Sequence, residues 1–113
     1  MDQKFNQLVA LAKEFTGLDV RYTRSRRREI INIKSAICNV MRRYHSRTIP
    51  QIGVLLNIHH TTVIHHLKDH PNRYRDIDDY ADLYDYLCKY IVDSSELLST
   101  EKILNMMRSV MAV

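Results

Sequence analysis

The sequence predicts an all-α protein. Its 113 residues include two glycines and two prolines, so few positions interrupt regular structure. Apolar residues recur at intervals of three and four, the spacing of one helix face, whereas the alternation typical of strands is nearly absent. With 45% hydrophobic residues, a chain of this length can form one sizeable core without disulfides or metals.

Two long amphipathic patterns occupy the first half of the chain. The first spans residues 2–16 and is followed by Gly17, a residue typical of helix C-termini. The second spans residues 26–45 and opens with Arg26-Arg27-Arg28. Cations at a helix N-terminus oppose the helix dipole, so this run indicates an anionic ligand rather than a gain in helix stability. The apolar positions of the two patterns are Phe5, Leu8, Val9, Ala12 and Phe15, and then Ile30, Ile33, Ala36, Ile37, Val40, Met41 and Tyr44.

Two shorter helices follow and predict a helix-turn-helix. Residues 48–51, Thr-Ile-Pro-Gln, form a capping-box pattern that starts a helix ending near Leu56. Asn57 is suited to a left-handed turn, and a second helix begins around residues 59–61 and stops before Pro71. The expected inward positions are Ile49, Ile52, either Val54 or Leu55, Leu56, Val63, Ile64 and Leu67.

The last part of the chain carries two further helical patterns, over residues 74–92 and 99–112. We therefore expect a domain over residues 1–72 and a helical extension over residues 73–113. The extension either packs on the body, forms a homodimer through residues 74–112, or shields a basic surface. Its tyrosines, spaced as on one helix face, are more typical of packing than of stacking on a ligand.

The charge is distributed unevenly. Residues 1–75 contain 14 Lys and Arg against 5 Asp and Glu, whereas residues 76–113 contain 3 against 8. This asymmetry indicates an anionic partner for the first part, although a solvated face explains the charge equally well. Residues 1–6 are polar, and no apolar run is long enough to span a bilayer, so we expect no membrane association. Cys38 and Cys88 are interpreted as free thiols, which favours a reducing cytoplasm.

Five of the six histidines lie within residues 56–70, LNIHHTTVIHHLKDH. Only His66 and His70 have the i,i+4 spacing of a zinc-binding helical pair, and no third ligand is evident. The sequence shows no catalytic arrangement of Ser, Cys or Asp with a histidine, and no glycine-rich phosphate loop. We therefore expect that the protein is not an enzyme and that it uses no small-molecule substrate and no cofactor. The polar residues at the start of this helix instead suit contact with DNA bases, with His60 and Thr61 best placed. The alternative for Thr61-Thr62 is helix capping alone.

The segment from Arg26 to Lys68 resembles the C-terminal DNA-binding domain of the bacterial chromosomal replication initiator DnaA. The resemblance rests on SRRREIINIKSAI, on TIPQIGVLLNIHHTTVIHHLK, and on the signature His60-Thr61-Thr62-Val63 within it. It covers about half of the chain, extends weakly back through the first helix, and implies a fold of the kind also seen in Trp repressor.

The resemblance implies that His60 and Thr61 read bases in the major groove and that Arg26 reaches the minor groove. It places Thr62, Lys68 and Arg28 at phosphate and Lys34 where an arginine usually faces the DNA. The full expected set has two parts. The residues expected to contact bases are His59, His60, Thr61, His65 and Arg26, and those expected to contact phosphate are Arg24, Arg27, Arg28, Lys34, Thr62, His66 and Lys68.

This chain departs from the family in three respects. The family usually has Arg-Asp where Ile58-His59 stand here, an alanine where His66 stands, and an ATPase module that this sequence lacks. We therefore expect a stand-alone, cytoplasmic protein that binds double-stranded DNA and regulates replication or transcription, in a bacterium, a phage or a mobile element. The alternative is a protein-interaction module that mimics the initiator's domain and binds a replication protein.

Overall fold

The computed structural model describes residues 2–21 and 27–95. Throughout these residues the regular structure is helical, with five helices and no strand. They are α1 (Gln3–Thr16), α2 (Arg28–Tyr44), α3 (Ile49–Leu56), α4 (His60–Asp76) and α5 (Asp78–Ser95). The prediction of an all-α protein is confirmed, whereas the helix predicted over residues 99–112 lies outside the described residues.

The ends of α1 follow from local sequence signals. The Asp2 carboxylate accepts a hydrogen bond from the Phe5 backbone N–H at 3.0 Å, which caps the N-terminus. Gly17 ends the helix with a φ of 82°, a left-handed conformation that a residue without a Cβ adopts at little cost. Asp2 also pairs with Arg47 at 2.7 Å, so the start of α1 is tied to the segment that precedes α3.

Helix α2 is the centre of the molecule, because each of the other four helices packs against it. Its buried positions include polar side chains as well as the predicted apolar ones apart from Tyr44, which is 38% exposed. Phe15, a predicted apolar position of α1, is also exposed, so neither residue belongs to the core. The core collects residues from all five helices. It consists of Phe5, Leu8, Val9, Leu11, Ala12, Val20, Ile30, Ile33, Ala36, Ile37, Cys38, Val40, Met41, Ile52, Leu56, Val63, Tyr80, Leu83, Tyr84 and Leu87.

The connection between α3 and α4 is tight, as its sequence predicts. The Thr48 and Gln51 side chains form a reciprocal capping box, and Asn57 adopts a φ of 55°. The Ile58 N–H donates to the Gly53 carbonyl at 2.9 Å, which folds the turn back onto α3. Of the two alternatives for an inward residue, Leu55 is half-buried and Val54 is 80% exposed.

Helix α4 does not stop before Pro71, so that prediction was wrong. It continues through Pro71 to Asp76. The Pro71 side chain is exposed, and the turns beyond it are held by tertiary contacts. One of these is the hydrogen bond from Tyr74 Oη to Asp85 of α5, at 2.9 Å.

Helix α5 completes the core of the body. Four of its side chains, Tyr80, Leu83, Tyr84 and Leu87, are buried against α1, α2 and α4. Of the alternatives for the C-terminal part, packing on the body therefore applies to α5. The division expected at residues 72 and 73 falls inside α4.

Both cysteines are free thiols, with Cys38 buried and Cys88 half-buried. Burial raises the pKa of Cys38 to about 12, so its thiol stays protonated at neutral pH. None of the described helices combines the length and the apolar character needed to cross a bilayer.

Candidate nucleic-acid interface

The first turn of α4 presents four polar side chains to solvent: His59, His60, Thr61 and Thr62. His59 is the N-cap, and its Nδ1 accepts a hydrogen bond from the Thr61 backbone N–H at 3.2 Å. The Thr61 hydroxyl lies 3.0 Å from the same nitrogen, and the His59 and His60 rings are 4.2 Å apart. Because Nδ1 accepts, the His59 ring carries its proton on Nε2 and can donate from that atom to a ligand.

The cap role of His59 was not anticipated from the sequence. The interpretation of the two threonines as caps is wrong, because the ring of the preceding histidine fills that role. The position of His59 could have indicated this role, because it directly precedes the helix, at the N-cap position that Ser, Thr, Asp or Asn usually occupies. The backbone of the turn contributes as well, through the Thr62 N–H, which donates to the His59 carbonyl at 2.9 Å.

One side of α4 is exposed along its first nine residues. Thr61, His65 and Lys68 follow at intervals of four and three, so they lie in a row on one face. All three are exposed, and we refer to this row as the outer face of α4. The opposite side carries Val63 and His66, which are buried against the body. The outer face is therefore free of the packing that holds the helix in place.

Two residues expected at phosphate lie in the interior. His66 is 5% exposed and Lys34 is 6% exposed. Burial, reinforced by the nearby Arg73, lowers the pKa of His66 to about 4, and burial also lowers the pKa of Lys34. The structure therefore gives neither side chain an outward position from which to contact phosphate, because each belongs to a face that packs against another helix.

The basic residues at the start of α2 are exposed, in keeping with the expectation for them. Arg27 is the N-cap and Arg28 the first residue of the helix. Arg27 lies 3.6 Å from Glu29, and both side chains of this pair are well exposed. Arg28 lines an open cleft of about 720 Å3 together with Arg73 and three aspartates, so its surroundings are of mixed charge. Arg24 and Arg26 lie outside the described residues.

The remaining arginines of α2 do not extend this basic surface. Arg42 and Arg43 lie four turns further along, about 21 Å from Arg28 at 1.5 Å per residue. The Arg43 guanidinium donates to the Tyr84 hydroxyl at 3.3 Å and lies over the Tyr44 ring. Arg42 donates to the Arg47 carbonyl at 3.2 Å. Both arginines make their contacts at the opposite end of α2.

The histidine pair with zinc-like spacing also faces the interior. His66 is buried, and His70 Nδ1 lies 2.6 Å from the Tyr80 hydroxyl. Among the described residues, no group of three or more His, Cys, Asp or Glu side chains is arranged to hold a metal ion.

Comparison of the chain with known protein families, with curated proteins and with solved structures found no match. The interpretation of the outer face of α4 therefore depends on its own geometry and on the sequence motifs quoted above.

Proposed function

We propose that this protein binds double-stranded DNA through α3 and α4, acting as a helix-turn-helix, and regulates replication or transcription. The observation that carries the proposal is the exposed first turn of α4. Donor-rich side chains gather there on a rigid helix whose other side is packed into the core. In helix-turn-helix proteins the first residues of the second helix approach base edges in the major groove. This role would place the protein in the cytoplasm.

The chemistry of the first turn suits base recognition. The Thr61 hydroxyl can pair with a base of either class and its methyl can contact a thymine methyl. The exposed His60 ring and the Nε2–H of His59 supply donors beside it. His65, one turn along the outer face, extends the contact surface toward the next base pair. Each good contact of this kind contributes about 1–3 kcal/mol of discrimination.

Phosphate contacts would supply most of the affinity. The described residues suited to this role are Arg27, Arg28, Thr62 and Lys68, all of which are exposed. With the arginine at position 24, about four phosphates would be neutralised, which gives a slope near −3.6 for log affinity against log salt. Binding would therefore weaken by more than a hundredfold for a fourfold rise in salt.

The proposal is tested by selection from a randomised duplex library. The wild type is compared with the double variant His60→Ala/Thr61→Ala, and Gln3→Ala/Gln7→Ala, two exposed polar residues of α1, serves as the matched control. We expect a defined motif with the wild type and the control, and loss of that motif with the α4 variant. Nonspecific, salt-dependent binding should persist in all three proteins.

The alternative function is a protein-interaction module that resembles the initiator's domain. Two features favour it: Ile58-His59 stand where the family usually has Arg-Asp, and Val54 on α3 is 80% exposed. If the selection enriches no motif and the α4 variant binds DNA like the wild type, base recognition is refuted. The exposed face of α3 would then be the first surface to examine with candidate protein partners.

A further inference from the structure

The inner side of α4 is held by polar contacts as well as by apolar burial. Within α4, which the structure describes throughout, Val63 is the one apolar side chain that is fully buried. Ile64 and Leu67 are half-buried. Apolar contact is not directional, so the rotation and axial position of α4 also depend on directional contacts. Directional contacts must supply what the apolar contacts do not.

Two such contacts come from neighbouring residues of α2. The Asn39 amide nitrogen donates to the His66 carbonyl at 3.2 Å, and the Cys38 thiol faces the Val63 carbonyl at 3.8 Å. The same Asn39 nitrogen lies 2.9 Å from the carbonyl of Ser35 in its own helix, which fixes its direction. Successive turns of the α4 backbone are therefore engaged by one short stretch of α2.

A third contact comes from α5. The Tyr80 side chain is completely buried, and its hydroxyl lies 2.6 Å from Nδ1 of His70, one turn beyond His66. Burial raises the pKa of Tyr80 to about 12 and lowers the pKa of His70, so both groups are neutral at pH 7. The hydroxyl can then donate to the ring nitrogen while it accepts from Asn39 at 3.4 Å. The Asn39 nitrogen has two protons for three acceptors, so its bond to Tyr80, the longest of the three, is shared with its bonds to the Ser35 and His66 carbonyls. The bond between Tyr80 and His70 is the shorter link.

A fourth contact holds the next turn. The Arg73 guanidinium donates to the Asn32 side-chain oxygen at 2.8 Å, and its Nε lies 2.9 Å from Asp69. Positions 63, 66, 70 and 73 recur at the spacing of one helix face, and that face is opposite to the outer face of α4. We call these four positions and their partners Cys38, Asn39, Tyr80 and Asn32 the polar seam.

We propose that the polar seam positions α4 for DNA recognition, with Asn39 and Tyr80 as positioning residues that determine sequence discrimination without touching DNA. This inference rests on the proposed function. Hydrogen bonds to base edges tolerate only a few tenths of an ångström in length. A rotation or slide of α4 that leaves its packing intact therefore removes contacts of His60 and Thr61 with bases, while flexible side chains still reach phosphate.

The test compares Tyr80→Phe with Tyr86→Phe. Both changes remove one hydroxyl from α5, but Tyr86 packs on Phe15 and Tyr90 and lies outside the polar seam. The dissociation constants for the selected duplex and for a scrambled duplex are measured at a temperature where circular dichroism shows each protein fully folded. Discrimination is the dissociation constant for the scrambled duplex divided by that for the selected duplex. For Tyr80→Phe we expect this ratio to fall about 5- to 20-fold, which is the effect of losing one base contact. The constant for the scrambled duplex should stay within a factor of two, and Tyr86→Phe should match the wild type.

A second variant keeps the proposal testable if Tyr80→Phe does not fold. Asn32→Ala removes the hydrogen-bond acceptor of Arg73 at the far end of the polar seam, where Asn32 and Arg73 line an open cleft. Arg73 retains its ion pair with Asp69 in this variant. We expect a two- to fivefold loss of discrimination. Equal weakening for both duplexes, or no change for either, in the folded variants would overturn the positioning role. A wild type that does not discriminate between the duplexes would instead overturn the proposed function, and with it the role of the seam in recognition.

Discussion

At the scale of single residues, burial changes what a side chain can do. His66 looks like a surface histidine beside His65 in the sequence, yet its ring is enclosed between α4 and α2. Its Nδ1 is buried without a hydrogen-bond partner among the described residues, and Arg73, His65 and Lys34 add positive charge nearby. A charged imidazole is poorly tolerated in such surroundings, so His66 is a neutral residue of the interior.

The first prediction concerns pH. The folded pKa of His66 is about 4, below the value of 6.5 for a free histidine, so the folded state binds a proton less readily than the unfolded chain. Stability is therefore lost as the pH falls from 6.5 toward 4, by on the order of 2 kcal/mol from this residue. Replacement by an apolar residue of similar size, His66→Leu, should reduce the difference in unfolding free energy between pH 7 and pH 5, measured by urea denaturation.

The control is His60→Leu, the same change at an exposed position of the same helix that is not among the groups shifting the pKa of His66. It should leave the difference between the two pH values as in the wild type. Burial also lowers the pKa of His45 and of His70, so some acid sensitivity should remain in His66→Leu. An unchanged pH dependence in that variant would refute the assignment of His66 as an acid-sensitive residue.

At the scale of elements, the turn between α3 and α4 depends on one glycine. A Cβ at Gly53 would lie 2.9 Å from the Ile58 carbonyl oxygen, closer than van der Waals contact permits. The close approach is maintained by the Ile58 N–H, which donates to the Gly53 carbonyl. This turn sets the angle at which α4 leaves α3, so the geometry of the turn requires glycine here, although helix propensity would favour alanine.

The second prediction is that Gly53→Ala destabilises the protein by about 1–3 kcal/mol, because backbone atoms must shift to admit the methyl group. The gain in helix propensity from Gly to Ala, about 1 kcal/mol, offsets part of this cost. Val54→Ala is the matched control, since Val54 is the next residue of α3 and is 80% exposed. It should change the unfolding free energy by less than about 0.5 kcal/mol. Equal stability of Gly53→Ala and wild type in urea would contradict the close approach.

At the scale of the whole molecule, α5 is part of the body that supports α4. Its buried side chains face α1, α2 and α4 together, and Tyr80 reaches both Asn39 and His70. A homodimer through residues 74–112 would have to use side chains other than these buried ones. Tyr74 and Tyr90 are the large hydrophobic residues in the described part of that range that remain exposed.

The third prediction concerns truncation. A chain that ends at residue 77 should lose most of its helical circular dichroism signal and its cooperative thermal transition. The physical reason is that removal of α5 exposes the apolar surface of α2 and leaves the buried Asn39 and the half-buried His70 without Tyr80. A chain that ends at residue 95 retains all five described helices and is the control. Cooperative unfolding of the shorter chain would show that residues 1–77 form an independent domain.

The dimer is tested by sedimentation of the full chain. A stable monomer at micromolar concentration would remove it from consideration. A dimer that persists after substitution of Tyr74 and Tyr90 by serine would place the interface outside the exposed tyrosines of α4 and α5.

Features that depend on neighbours along the chain could be predicted without the structure. The capping box at Thr48, the left-handed Asn57, the stop at Gly17 and the helical class all follow from residues within a few positions of one another. The exposure of His60 and Thr61 was also anticipated, because polar residues in the first turn of a helix have few packing partners. Local hydrogen bonds and helix periodicity suffice for such features.

The packing of the helices on one another, rather than the local sequence, determines which side of each helix is covered. It placed His66 and Lys34 in the interior, exposed Val54 instead of Leu55, and carried α4 past Pro71 by contacts with α2 and α5. These outcomes depend on residues such as Asn32, Asn39, Tyr80 and Asp85, which are distant in sequence from the positions they affect. The physical reason is that burial and directional hydrogen bonds act through space. A periodic pattern shows that one side of a helix is apolar, but the tertiary fold determines which residues pack against each side.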